Sequence, residues 1–459
     1  MAETHKKFLI ESAKKAFDLE HREKINFNIS TYDHAVIRGK EIFKDLDLAK
    51  KRAAFLKTKV INSLEKHLNT FMINFERRGG KVIWAEDAHT AVMKIMEILQ
   101  AAETKAVVKS KSMITEEIDL NSALEKHDIE SLETDLGEYI VQLAEEKPYH
   151  IVTPAMHMSK KDVAELFHKK FDVDPESSPE DITAFVRKLL RKKFTKADVG
   201  ITGSNFIIAD VGGIALTENE GNGMLSFSFP RIHIAVTGIE KVIPSMNDLD
   251  TFWPLLATHG TGQYMTVYNS LLLGPRQNDE VDGPEEMYVV LLDNGRTELL
   301  KHVEQRVALN CIRCGACLNA CPVYKNIGGH TYRTTYSGPI GAVITPHMRG
   351  MEKFKHLSFA SSLCGRCTEV CPVNIPLHEL LLQNRNESVE KGYTTAMERL
   401  TMKGWKKTMK NRSMMDMVGG DIKNMAMKRV FHKAWGSHRA LPEVSKKSFK
   451  KLYRSRKTR

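Results

Sequence analysis

The sequence lacks the features of a membrane-spanning or exported protein. No stretch approaches the roughly 18 consecutive apolar residues that a membrane-spanning helix needs, and residues 1–7 do not form the apolar core of a signal peptide. Hydrophobic residues make up 42% of the chain and charged residues 27%, which is enough apolar side chain for a packed core. We therefore expect a folded, cytoplasmic protein.

Three sequence signatures of nucleotide-binding or redox sites are also missing. No G-x-G-x-x-G turn opens a helix, no Walker phosphate-binding motif occurs, and no two cysteines are adjacent. The absence of a dinucleotide fingerprint argues against a flavin or NAD bound to this chain. The absence of adjacent cysteines excludes the cysteine-rich repeat of heterodisulfide-reductase-type catalytic subunits. We therefore expect any electron donor and acceptor to be other molecules.

Cysteine is scarce and confined to two short runs. All seven cysteines lie within residues 311–321 and 364–371, which favours metal ligation in a reducing compartment over disulfide bonds. The first run has the spacing C-x2-C-x2-C-x3-C-P, formed by Cys311, Cys314, Cys317, Cys321 and Pro322. This spacing is typical of bacterial [4Fe–4S] ferredoxins, in which the fourth cysteine binds the other of two clusters. A zinc ribbon needs two C-x2-C pairs, so the run fits it poorly.

The second run repeats the first after 50 residues, with Ser361 at the position of Cys311. Exchanging the fourth cysteines between the two runs gives two predicted ligand sets. The predicted ligands of the first cluster are Cys311, Cys314, Cys317 and Cys371. Those of the second cluster are Cys321, Cys364 and Cys367, with Ser361 as a candidate fourth position. The second cluster is then either [4Fe–4S] with a non-cysteine ligand or [3Fe–4S], and the sequence does not choose between them.

Patterns of apolar residues and turns divide the chain into four predicted regions. These are an N-terminal helical segment (1–78), an α/β domain (79–296), a two-cluster domain (297–391) and a basic C-terminal region (392–459). In the α/β domain, short apolar runs alternate with amphipathic stretches, which indicates a mostly parallel sheet. Residues 149–152 are predicted as one of its strands, and residues 206–217 as a hairpin. A helix is expected beside each cysteine run, so the second fold class is a mostly helical ferredoxin-type domain.

The α/β domain also contains candidates for acid–base chemistry. Glu218 and Glu220 lie beside a glycine-rich turn, and His233 and His259 follow. None of the four has a catalytic partner that is visible in the sequence. Catalysis by this domain is therefore an alternative to electron transfer, and surface carboxylates and buried histidines are the plainer interpretation.

The net charge of +11 arises from the C-terminal end. Residues 403–459 contain 18 Lys and Arg against 3 Asp and Glu, whereas the rest contains 50 against 54. A basic tail can contact an anionic membrane surface or an acidic partner. Its sparse aromatics, such as Trp405 and Trp435, accompany no recognised nucleic-acid-binding fold, so no specific nucleic acid is expected. A solvated tail without a partner is the alternative.

The motifs around the cysteines resemble the lactate utilization protein B family. The segments that carry the resemblance are 310–317, 328–332, 336–343 and 360–377. The segment GGIALTENEG, residues 212–221, is similar to the LUD domain of that family. The three-cysteine second run is also similar to the family pattern, so Ser361 agrees with the resemblance.

The resemblance implies an iron–sulfur electron-transfer subunit of a multi-protein system that oxidises L-lactate to pyruvate. Its implied partners are a cysteine-rich catalytic subunit and a second LUD-type subunit. The implied α/β fold is similar to that of sugar-phosphate isomerases and CoA-transferases. Two alternatives stay open, namely that the LUD domain is itself catalytic, or that the chain serves an oxidase of a different 2-hydroxy acid.

Overall fold

The chain forms two compact units, Met1–Glu387 and Ser388–Arg459. The structure is a computed structural model that describes residues 3–431 and 440–457. Trp435 and the rest of residues 432–439 and 458–459, which belong to the predicted basic region, lie outside the described residues. Within the described part of the chain, no helix combines the length and apolar character needed to cross a bilayer.

The first unit begins with helices, and Asp18 and Asp45 each cap the start of one of them. The Asp18 carboxylate accepts a hydrogen bond from the N–H of His21, and the Asp45 carboxylate accepts one from the N–H of Leu48. The helices are Glu3–Ala16, Leu19–Gly39, Leu46–Ile61 and Leu64–Arg77. A 3₁₀ turn, Lys40–Ile42, follows the second of them. Residues Ile25 and Phe71 are completely buried, so these helices contribute to the main core of the unit.

The central sheet has six strands, and all of their pairings are parallel. The strands are β1 (Lys81–Ala85), β2 (Ala106–Lys109), β3 (Glu130–Glu133), β4 (Val199–Thr202), β7 (Ile232–Gly238) and β10 (Glu286–Leu292). Their order across the sheet is β1-β10-β7-β4-β2-β3. All residues of β7 are buried, as expected of a parallel strand that is covered on both faces.

Strands and helices alternate as the sequence pattern predicts. The helices of the α/β region are Ala88–Ala101, Met113–Glu117, Leu120–Glu125, Leu136–Leu143, Lys160–Phe171, Pro179–Phe194, Asn222–Ser228 and Leu249–Gly260. Two 3₁₀ turns, Ile239–Lys241 and Met246–Asp248, lie among them. Ser178 begins the helix at Pro179 with a capping box to Asp181. The predicted α/β fold class is therefore confirmed.

A smaller four-stranded sheet contains the predicted hairpin. Its strands are β5 (Phe206–Ile208), β6 (Gly213–Glu218), β8 (Val242–Ile243) and β9 (Tyr268–Leu272). They follow the order β8-β5-β6-β9, and β5 pairs with β6 in antiparallel fashion. The hairpin prediction is confirmed.

The strand prediction for residues 149–152 is wrong, because this segment is an irregular buried loop. The Tyr149 N–H donates to the Pro154 carbonyl at 2.9 Å. The N–H groups of Val152 and Thr153 both donate to Nδ1 of His150. The loop thus satisfies its own backbone donors, and its apolar residues are buried without joining a sheet.

The cysteine runs lie in a helical region that shares a core with the α/β sheet. The helices there are Arg296–Leu300, Ala316–Asn319, Pro322–Ile327, Gly338–Arg349, Met351–Phe359, Arg366–Glu369 and Leu377–Glu390, with 3₁₀ turns Gln305–Asn310 and His330–Tyr332. On β10, Val289 and Leu291 belong to the same apolar cluster as the cysteines, whereas Val290 and Leu292 pack into a separate cluster. One face of the sheet therefore supports the cysteine region.

The second unit is also helical. Its helices are Ala396–Lys410, Arg412–Met417, Gly420–Ala426, the π-helical Met427–Phe431 and Phe449–Lys457. Thr395 caps the first of them with a capping box to Glu398. That helix has no buried residue, and Met397 and Trp405 are exposed.

Candidate functional site

The two cysteine loops have the same backbone conformation. Arg313 and Leu363, which precede the second cysteine position of each loop, have left-handed φ values of 61° and 55°. The next glycines, Gly315 and Gly365, have φ values of 79° and 81°. Each glycine is followed by a four-residue helix, Ala316–Asn319 or Arg366–Glu369. The sequence repeat is therefore also a repeat of local structure.

Four cysteines line a single small pocket. They are Cys311, Cys314, Cys317 and Cys371, of which the first three come from one loop and the fourth from the other. Burial raises the pKa of the Cys314 and Cys317 thiols, and the neighbouring cysteines raise it further. Burial also raises the pKa of Cys371 to about 11. Four crowded sulfur atoms can all ionise only if a cation such as iron is bound among them.

The other three cysteines form a second group. Burial, followed by the charge of Cys321, raises the pKa of Cys367 to about 11. Burial also raises the pKa of Cys321, and Cys364 adds to this effect. Cys321 thus interacts with the second loop, although only three residues separate it from Cys317. Cys364 is the exposed member of this group.

Backbone N–H groups point at the sulfur atoms of both groups. Arg313 N–H donates to Cys311 Sγ at 3.4 Å, and Ile375 N–H donates to Cys371 Sγ at 3.4 Å. Tyr324 N–H donates to Cys321 Sγ at 3.5 Å. Such hydrogen bonds stabilise anionic sulfur and tune the potential of a bound cluster. The residues present therefore fit thiolate ligation of iron–sulfur clusters.

Ser361 lies in the second loop as Cys311 does in the first. Its Oγ accepts the N–H of Leu363 at 3.1 Å, which matches the hydrogen bond from Arg313 N–H to Cys311 Sγ. Arg385 donates to the carbonyls of Ser358 and Ser361 and holds the start of the loop. The serine hydroxyl thus occupies the local position of the missing thiol.

Buried charges surround the first loop, and the sequence analysis did not identify them. Glu240 forms ion pairs with Arg296 and, at 3.3 Å, with Arg313. Burial would raise the pKa of Glu240, but these two guanidinium groups outweigh it and hold the value at about 2. Lys57 donates to the carbonyls of Glu240 and Val242, and burial lowers its pKa to about 7. These residues come from separate segments, so no local sequence motif predicts that they lie together.

A larger cavity of about 400 Å³ adjoins the first loop. It lies beyond the carboxyl ends of β2, β4 and β7, and Arg313 and Cys314 form part of its wall. Arg313 also packs over the ring of Tyr336, with its guanidinium carbon 4.1 Å from the ring centre. Arg313 and Cys314 line the four-cysteine pocket as well, so the two spaces are neighbours.

The candidate residues Glu218 and Glu220 line this cavity. The candidate histidines His233 and His259 do not line it. Glu218 accepts the N–H groups of Gly223 and Met224 at 2.6 and 2.7 Å, and burial raises the pKa of both Glu218 and Glu220. His233 is buried in β7 and pairs with Thr202 at 2.8 Å. Burial lowers the pKa values of His233 and His259 to about 3, so both are neutral near pH 7.

Comparison with protein families assigns a class to each region of the first unit. The LUD domain model matches residues 68–292, and the 4Fe-4S dicluster domain model matches residues 307–375. The chain thus combines an α/β LUD domain with a helical iron–sulfur domain that accommodates two clusters.

Proteins named lactate utilization protein B are similar to the chain over most of its length. The protein from Shouchella clausii is 46% identical over 351 residues, covering 76% of this chain and 74% of that protein. The one from Bacillus subtilis is 46% identical over 348 residues, covering 75% and 72%. The one from Bacillus cytotoxicus is 43% identical over 409 residues, covering 86% of both. The chain belongs to the lactate utilization protein B family.

Proposed function

We propose that this chain is the iron–sulfur electron-transfer subunit of a cytoplasmic multi-protein system that oxidises L-lactate to pyruvate. The observation that carries the proposal is the division of the seven cysteines into two groups. Each group combines cysteines of one loop with the last cysteine of the other loop. Two-cluster ferredoxin domains use this exchange to hold neighbouring clusters. The names of the relatives supply the substrate.

The proposed ligands follow the two groups. The ligands of the first cluster are Cys311, Cys314, Cys317 and Cys371. The ligands of the second cluster are Cys321, Cys364 and Cys367, with Ser361 at the fourth corner. This second cluster is [4Fe–4S] with a non-cysteine ligand or [3Fe–4S].

The protein residues hold and tune these groups. A bound iron–sulfur cluster accepts and releases single electrons. The N–H groups of Arg313, Ile375 and Tyr324 stabilise the ligand sulfur atoms. The four cysteines of the first group are buried or partly buried, whereas Cys364 of the second group is exposed. The second site is therefore the one that a protein partner can approach most closely.

The proposed partners are a cysteine-rich catalytic subunit and a second LUD-type subunit. The basic region 392–459 is proposed to contact an acidic partner or the surface of an anionic membrane. Such contacts are electrostatic, so they are expected to weaken with salt. We expect no sequence-specific binding of nucleic acid.

The experiment is an anaerobic purification of the tagged full chain from cells that grow on L-lactate. The expected preparation is brown, contains roughly seven to eight irons per chain, and includes the two partner subunits. Stopped-flow mixing with the purified partners and L-lactate should bleach the visible absorption of the clusters. A colourless zinc protein would exclude the iron–sulfur assignment. If L-lactate reduced the clusters of the purified chain without the partner proteins, a catalytic LUD domain would be favoured instead.

A further inference from the structure

The cavity of the LUD domain has no part in the electron-transfer role proposed above. It lies beyond three neighbouring strands, β2, β4 and β7, and the residues that follow their ends, such as Ser110, Gly203 and Glu240, line it. Ligands of open α/β sheets bind at the carboxyl ends of parallel strands. A volume of about 400 Å³ also falls in the usual range of small-molecule sites.

Part of the cavity wall is positively charged, and one of its guanidinium groups has buried donor atoms that no protein group accepts. Arg296 is paired with Glu117, at 2.9 Å, and with Glu240. Arg313 offers one nitrogen to Glu240, but its Nε and Nη1 are buried without a hydrogen-bond partner. Buried donors of this kind are costly unless something accepts their hydrogen bonds.

Lys241 adds a further cation at the same wall. Among the described residues, its Nζ has neither a hydrogen bond nor an ion pair within 4 Å. Burial lowers the pKa of Lys241 to about 8 and the charge of Arg313 lowers it as well, whereas Glu240 and Cys311 oppose them. An anion bound between Lys241 and Arg313 would offset the repulsion between these two cations.

Acidic groups form a separate part of the wall. Burial raises the pKa of Glu220, and the charge of Asp135 raises it further, while Lys111 opposes them. Glu218 lies with this group, and the charges of Glu220 and Asp135 add to the effect of burial on its pKa. The cavity therefore has a cationic part and a hydrogen-bond-accepting acidic part, which suits a ligand with one anionic group and neighbouring hydroxyl groups.

We propose that this cavity binds a small organic anion, with its anionic group at Lys241 and Arg313 and its hydroxyl groups towards Glu218 and Glu220. Carboxylates and phosphates share this chemistry. Because Cys314 lines both the cavity and the four-cysteine pocket, the bound anion lies beside the first cluster site. This ligand site goes beyond the proposed electron-transfer function.

The test is calorimetric titration of the anaerobically purified full chain, without partner proteins, using four probes. L-Lactate and pyruvate represent carboxylates, and inorganic phosphate and glycerol 3-phosphate represent phosphates. At least one probe is expected to bind with a Kd below about 1 mM. The substitution Lys241→Gln should weaken this binding by about tenfold or more, because a charge-assisted hydrogen bond is lost. Lys241→Arg should restore most of the affinity.

The matched control is Lys94→Gln, which removes an exposed lysine that pairs with Glu97 on the helix Ala88–Ala101. It should leave the Kd unchanged. Lys241→Gln should not lower the thermal midpoint, because Lys241 makes no polar contact that the substitution breaks. The proposal is wrong if none of the probes binds, or if Lys241→Gln shifts the potential of the first cluster without changing the affinity. Neither result contradicts the electron-transfer proposal, because its test is the reduction of the clusters in the presence of the partner proteins.

Discussion

The second cysteine of the first loop, Cys314, is 8% exposed, whereas its equivalent in the second loop, Cys364, is an exposed residue. A methyl group added to Gly315 would contact Val152 and His150, but one added to Gly365 would meet no atom within 4 Å. The local backbone is the same in both loops, so the difference comes from what packs on them. The LUD domain covers the first loop and leaves the second one open.

The surroundings also differ in charge. The first loop lies among the buried charges of Glu240, Arg296 and Lys57, and Arg313 is part of the loop itself. The second loop contains Arg366, which forms an exposed ion pair with Glu369. Because solvent exposure and nearby charge set cluster potentials, two loops of the same shape should hold clusters of different potential and different accessibility.

The largest expected effect comes from removing one cysteine of each group. Cys317→Ser should eliminate the first cluster, and Cys321→Ser should eliminate the second, although only three residues separate the two positions. Each variant should lose about half of the iron, because each cluster accounts for about half of it. Iron analysis and EPR of both the oxidised and the dithionite-reduced protein measure the two outcomes.

The partners of these residues in the other loop provide the control. Cys371→Ser should remove the same EPR signal as Cys317→Ser, and Cys367→Ser the same signal as Cys321→Ser. If Cys317→Ser and Cys321→Ser both abolish the same EPR signal and both spare the other signal, the two ligand sets are not exchanged between the loops.

Local patterns were sufficient to predict the features that depend on neighbouring residues. The cysteine spacing, the register of Ser361 with Cys311 and the hairpin at 206–217 each follow from local steric or hydrogen-bonding preferences. The strand predicted at 149–152 failed because its apolar residues are buried by a distant segment. Tyr324 donates to the carbonyl of Tyr149 at 2.9 Å, and no local pattern contains that contact.

The charged surroundings of the first loop could not be predicted for the same reason. Lys57, Glu240, Arg296 and Arg313 come from four segments, and each is an ordinary charged residue in its own stretch of sequence. Only the fold brings them together and buries them. The two candidate glutamates were identified because they lie beside a glycine-rich turn, whereas Lys241 lacks any such signal.

The next largest effect should follow from Glu240→Gln, which tests whether the charges stabilise the first loop specifically. This change leaves Arg296 and Arg313 buried without one of their carboxylate partners. Breaking a buried pair costs about 3–5 kcal/mol, so the thermal midpoint should fall by about 5 °C or more. The EPR signal of the first cluster should change, and that of the second should remain.

The control is Glu97→Gln, which breaks an exposed pair with Lys94 and should cost at most about 1 kcal/mol. The pH dependence gives a second readout. The folded-state pKa of Glu240 is held at about 2, below the ordinary 4.5. Its stabilisation is therefore complete above pH 4.5 and is lost as the pH falls towards 2. Equal midpoints for Glu240→Gln and the wild type at pH 7 would contradict the prediction.

A smaller effect should separate Gly315→Ala from Gly365→Ala. Both glycines have left-handed φ values, so each alanine costs about 1–2 kcal/mol. At Gly315 the new methyl would also lie 3.0 Å from Val152 Cγ2 and 3.2 Å from His150 Cε1, which adds about 1 kcal/mol or more. Gly315→Ala should thus have the lower thermal midpoint. Equal midpoints would mean that the LUD domain does not pack tightly on the first loop.

The smallest expected change, and the sharpest test of the likeness between the loops, is Ser361→Cys. Leu363 N–H donates to Ser361 Oγ as Arg313 N–H donates to Cys311 Sγ, so a thiol at 361 should face the second cluster as Cys311 faces the first. It should complete a four-thiolate site. If the wild-type corner holds no protein ligand, the added thiolate should lower the potential of that cluster, because net charge and ligand type set it.

The outcome depends on the wild-type cluster, and each case has its own signature. If the wild type holds [3Fe–4S], the variant should gain one iron and lose the EPR signal of the oxidised three-iron form. If it holds [4Fe–4S] with the Ser361 oxygen as a ligand, the iron content should stay constant and the potential should change, because a thiolate replaces an oxygen ligand of different basicity. Ser361→Ala is the matched control, because it removes the oxygen without supplying a thiol. Unchanged iron content, potential and EPR in Ser361→Cys would show that residue 361 only orders the loop, and the two loops would then differ in function as well as in surroundings.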